Sequence, residues 1–117
     1  MIKIKLSSDP IKLIQDLNQF NESLDEIGKV SDVGQRWKSI KKNIVDYLVN
    51  IENSFENLKF DEVSELEFHT MLENILKNTK KSIFQAKTKN QLYKNDFDFI
   101  LSVLDAVSKS NQNKLKD

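Results

Sequence analysis

The 117-residue chain has no cysteine. Disulfides and thiolate metal sites are excluded, and nothing in the sequence points to an oxidising compartment. Only two glycines and one proline occur. All-β folds need frequent turns, so this scarcity argues for a few long helices. Gly28 and Gly34 stand apart, which leaves no glycine-rich phosphate loop. Arg36 is the sole arginine. The guanidinium is the group best shaped for bidentate contacts with phosphates and base edges, so a lone one weakens the case for sequence-reading nucleic-acid recognition. Apolar runs are only a few residues long, too short to span a bilayer. No N-terminal stretch combines the charged start, apolar run and small-residue cleavage site of a signal peptide. The expectation is a soluble, cytoplasmic protein.

What is present is a polar chain with enough apolar residues for a core, 38% hydrophobic and 31% charged. Its length suits one helical domain over residues 1–117. Lys, Asn and Ile abound beside the single arginine, a balance that suggests AT-rich codons and a bacterial or phage source.

Ile2 to Leu6 alternates apolar and polar residues, as a half-buried strand does, so residues 1–7 are expected to form a short extended arm. Ser7–Ser8–Asp9–Pro10 then signals a helix start: Ser8 or Asp9 can cap and Pro10 suits the first turn. Ile14, Leu17, Phe20, Leu24 and Ile27 step by three and four along the first helix, with Gly28 placed to end it. Val33, Trp37, Ile40, Ile44, Tyr47, Ile51, Phe55 and Leu58 predict a second helix over roughly 32–58. The third starts after a cap at Asp61, or at Ser64 with Glu67 in a capping box, and fades near Lys87–Asn90. Tyr93, Phe97, Ile100, Leu104 and Val107 mark the fourth. Residues 108–117 hold one apolar residue, Leu115, and are expected to be a frayed tail. Long amphipathic helices with short connections predict an all-α fold, an antiparallel up-down-up-down four-helix bundle in which the second and third helices form a hairpin.

The formal net charge is zero, but its distribution is uneven. Residues 43–76 hold Asp46, Glu52, Glu56, Asp61, Glu62, Glu65, Glu67 and Glu73 against one basic residue, Lys59. Residues 77–94 hold Lys77, Lys80, Lys81, Lys87, Lys89 and Lys94 and no acid. Folded as a hairpin, the helices gather acids at the turn and bases at the far pole. The second helix carries its bases early and its acids late, against the helix macrodipole. Glu22, Asp25, Glu26, Asp96 and Asp98 are expected to relieve the basic pole, while fewer cations reach the acidic one. Like-charge patches suit partners of opposite sign.

Glu65, His69 and Glu73 are spaced four apart and share a helix face, a set that could hold a divalent metal. Carboxylate di-metal bundles need a Glu-x-x-His motif on each of two helices, but Leu66 stands three before the chain's one histidine. The stretch therefore reads as the charged first turn of a helix, with His69 an exposed polar residue. No metal, cofactor or catalytic residue is assigned, because no nucleophile–base partnership is identifiable. Trp37 is expected in the core, and Phe60 in a staple-like contact across the third helix's start.

The expected function is non-catalytic protein binding, most concretely by a small inhibitor of the immunity-protein or antitoxin type. Its acidic pole of Glu52, Glu56, Phe60, Asp61, Glu62, Glu65 and Glu67 would cover a basic partner surface. The alternatives are a nucleic-acid-associated protein using a basic pole of Arg36, Lys38, Lys77, Lys80, Lys81 and Lys87, or a self-assembling structural or adaptor protein.

Overall fold

The structure, a computed structural model, describes residues 9–60 and 64–116. The expected N-terminal arm lies outside the described residues. Among those residues every regular element is helical: α1 (Pro10–Lys29), α2 (Trp37–Ser54), α3 (Glu65–Lys89) and α4 (Lys94–Leu115), with short 3₁₀ turns before α2, after α2 and before α4. No helix is long and apolar enough to cross a membrane among the described residues.

The helix starts follow local chemistry. The Asp9 side chain accepts a hydrogen bond from the Ile11 amide at 3.0 Å, and Pro10 opens α1. Gly34, at φ +61°, supplies a left-handed residue ahead of α2, and its amide donates to the Asp32 carboxylate at 2.9 Å. Ser64 caps α3 by accepting from the Glu67 amide at 3.1 Å. Lys87 and Lys89 then sit in its last turn, where the macrodipole favours cations.

The predicted stripes form the core, with small rotations. Leu13 and Leu48 are fully buried, whereas Ile14, Phe20, Ile27, Ile40 and Tyr47 pack at the core's margin. Trp37 is buried and tilts against Phe97 with ring centroids 4.3 Å apart.

Three sequence readings are corrected. Gly28 does not end α1. It lies inside the helix, and a β-carbon there would meet the Ser82 backbone oxygen at 3.0 Å. Residues 108–115 are not a tail but the last turns of α4, and Asn111 is fully buried in them. The neighbours also differ from the expected hairpin, because α2 and α3 bring no α-carbons within 8 Å of each other.

Instead α1 lies beside α3 in parallel. Asn21 meets Thr79 at one level, and Asp25 meets Ser82 farther along. Pairs from His69–Asn111 to Lys87–Asp98 run α3 and α4 antiparallel. Pairs from Trp37–Asp96 to Glu52–Ser110 run α2 and α4 parallel. The Phe20 and Tyr47 rings stack at 4.0 Å and close the gap between α1 and α2. Burial, and then the negative charge of Asp16, push the Tyr47 hydroxyl up to about 12.

Asn90 binds the opposite end. Its Oδ1 accepts from the Val33 amide, and its Nδ2 donates to the carbonyls of Ala86 and Val30. One buried amide thus ties the end of α3 to the α1–α2 connection.

Candidate functional site

The end of α2, the start of α3 and the end of α4 meet at one end of the molecule. Phe55 lies edge-on to His69 at 5.1 Å, and Phe60 leans on Phe68 at 5.7 Å and on His69 at 6.2 Å. The Phe60 contact is the predicted staple, with the ring half-buried. Around this aromatic plug sit the acids. Glu56, Glu65 and Glu67 are exposed. Glu52 is half-buried, and its Oε1 accepts from the Ser110 hydroxyl at 2.9 Å. Asp61 and Glu62 lie outside the described residues. Leu66, between Glu65 and Glu67, is 62% exposed.

His69 is not the exposed polar residue expected. It is 1% exposed and enclosed by Phe55, Phe60 and Phe68. Its Nδ1 lies 2.6 Å from the Asn111 Oδ1. The Asn111 amide donates to the His69 carbonyl and the Glu73 carboxylate, which leaves its oxygen facing the ring. That arrangement requires the proton on Nδ1, so His69 donates. Nε2 faces Glu65 Oε1 at 4.0 Å.

Glu73 turns towards α4 and accepts from Ser108 at 2.7 Å, Gln112 at 2.9 Å and Asn111 at 3.0 Å. Burial pushes its carboxyl up, but these hydrogen bonds and the Lys77 charge outweigh burial and hold it below its ordinary value. With Glu73 and His69 both committed to Asn111, the Glu65–His69–Glu73 row does not converge on a common point. Among the described residues no group of three or more His, Asp or Glu side chains is arranged to hold a metal ion.

The ion pairs are unevenly placed. Lys41–Asp96 at 2.7 Å, Lys87–Asp98 at 2.6 Å and Lys29–Glu26 at 3.7 Å all lie towards the far end. Hydrogen bonds from Lys41 and from the Trp37 indole hold the Asp96 carboxyl below its usual range, against a smaller desolvation effect. Among the described residues, no lysine or arginine lies within ion-pairing distance of Glu52, Glu56, Glu65 or Glu67.

The last turns of α4 bring Lys109, Lys114 and Lys116 to the acidic end as well. Lys109 and Lys116 face a groove between α3 and α4 rather than the acids around Phe60.

The alternative basic set lies on two helices. Arg36 and Lys38 stand exposed at the start of α2, and Lys77, Lys80 and Lys81 are exposed along α3, two helices that make no close backbone approach. Lys80 pairs with Asp105 at 3.3 Å, and Lys87 is taken by Asp98. Phe84 is 56% exposed beside these lysines and was not singled out from the sequence. Its signal was present, because it follows Lys77, Lys80 and Lys81 at helical spacing.

No protein-family model, curated protein or solved structure matches this chain.

Proposed function

We propose that the chain is a non-catalytic protein-binding module on an up-down-up-down bundle. In this reading its acidic end covers a basic surface on a partner protein. One observation supports it: among the described residues no lysine or arginine lies within ion-pairing distance of Glu52, Glu56, Glu65 or Glu67, while towards the far end Lys29 pairs with Glu26, Lys41 with Asp96 and Lys87 with Asp98. Uncompensated charge of one sign speeds encounter with an oppositely charged surface and rejects like-charged ones. Leu66 and Phe60 add apolar surface among the acids, which suits a contact that loses water on docking. A small cytoplasmic inhibitor of the immunity or antitoxin type, from a bacterium or phage, is the most concrete form of this reading.

The test is affinity capture from the native host with a tagged chain, washed at rising salt. A stoichiometric protein partner that leaves as salt rises, and that is lost on Glu65→Lys with Glu67→Lys, is the expected result. Retention of the same partner by the reversed variant would overturn the reading.

A nucleic-acid-associated role is the second reading. Lys77 and Lys81 flank the exposed Phe84 ring on one helix face, an arrangement that suits phosphates with a stacked base. Capture of nucleic acid alone, abolished by Lys77→Glu with Lys81→Glu, would favour it.

A further inference from the structure

We propose that the groove between α3 and α4 binds a phosphate monoester dianion through the ammonium groups of Lys77, Lys109 and Lys116. The groove has a volume of about 470 Å³, a size typical of small-molecule sites. Four lysines line it, the fourth being Lys80, against two carboxylates, Glu73 and Asp105. Both carboxylates are already engaged. Glu73 accepts three side-chain hydrogen bonds, and Asp105 pairs with Lys80. Among the described residues, Lys77, Lys109 and Lys116 lie within ion-pairing distance of no carboxylate, although the Lys77 charge still acts on Glu73.

The concave wall thus carries an excess of two positive charges, and it gathers them where field lines are focused. A phosphate monoester carries close to two negative charges at neutral pH and three strong acceptor oxygens, which matches that excess. Asn113 also lines the groove, and none of its side-chain hydrogen-bonding groups meets another described residue, so its amide can donate to the same ligand. A compact anion fits better than an extended polyanion. The groove's α3 wall spans only Glu73 to Lys80, about two helical turns, too short to track a long backbone.

The experiment is a two-dimensional NMR titration of the full chain with inorganic phosphate, with phenyl phosphate and with an oligothymidylate, at constant ionic strength. The expected result is saturable shifts at Lys77, Ser108, Asn113 and Lys116 with the two small anions. Equal affinity for both means that the phosphate group alone is recognised, and tighter phenyl phosphate means that the groove also contacts the ester. Lys109→Gln with Lys116→Gln should weaken binding about tenfold or more, while Lys38→Gln on α2 changes nothing. Because these side chains are solvent-facing, the amide spectrum of each variant serves as the check of its fold. Shifts that are linear in concentration, or that survive the double substitution, would overturn the proposal. So would an oligothymidylate that binds more tightly with a footprint reaching Lys38 and Lys41.

Discussion

A buried imidazole needs partners for its polar atoms, and one amide meets both the Nδ1 and the backbone carbonyl of His69. Asn111 accepts from its ring, donates to its carbonyl and donates to Glu73. Truncating one partner leaves the others desolvated and unmatched, which costs more than removing both. Asn111→Leu should therefore lower the unfolding free energy by about 2–4 kcal/mol. Adding His69→Leu should return about 1 kcal/mol of that loss in a double-mutant cycle read by urea denaturation. Simple additivity of the two substitutions would contradict the network.

Glu73 and Asp96 give the residue scale a pH signature. Both have folded values held below their ordinary ones, so the folded state favours the ionised form. Their contribution is complete above the unfolded values and is lost as pH falls from about 5 through the depressed folded values. The urea midpoint should decline over that acid range, and Glu73→Gln should flatten the decline. Tyr47 works in the other direction. Its value is raised to about 12, so its contribution is present below the ordinary tyrosine range and fades as pH climbs through it.

At the scale of elements, α1 and α3 approach closely because small groups line their contact. Gly28 meets the Ser82 backbone, and Thr79 and Ala86 lie along the same side of α3. Gly28→Val should force the helices apart and cost about 1–3 kcal/mol, measured as a lowered denaturation midpoint. An unchanged midpoint would mean that the helices can separate freely.

The helices themselves were legible in the sequence. Apolar steps of three and four, Asp9–Pro10 and Ser64 with Glu67 mark real elements and caps. What escaped was polar. Val107 is followed four residues later by Asn111, so the α4 stripe continues through a residue that reads as tail. His69 likewise stands three before Leu72 and seven before Leu76, on the buried face of α3. Periodicity pointed to both, but their side chains suggested solvent. Helix adjacency was hidden for another reason. A short connection brings helix ends together, yet it does not decide which helices lie side by side, and the size of Phe20, Tyr47 and Gly28 settles that.

For the whole molecule, zero net charge conceals an uneven placement of ion pairs among the described residues. Of the acidic set, Glu56, Glu65 and Glu67 are exposed and Glu52 is half-buried around the end of α2 and the start of α3, and Asp61 and Glu62 fall outside the described residues. Of the basic set, Arg36 and Lys38 stand at the start of α2 and Lys77, Lys80, Lys81 and Lys87 along α3, two helices that make no close backbone approach. Exposed charges act over a Debye length of about 8 Å at physiological salt, so their influence should appear mainly in association kinetics.

The most direct measurement of the central claim is the association rate with the captured protein partner across ionic strength. The expected result is a rate that falls steeply as salt rises for the native chain, and a slower, nearly salt-independent rate for Glu56→Lys, Glu65→Lys and Glu67→Lys combined. A rate indifferent to those three reversals but slowed by Lys77→Glu with Lys81→Glu would contradict it and place the working surface on α3.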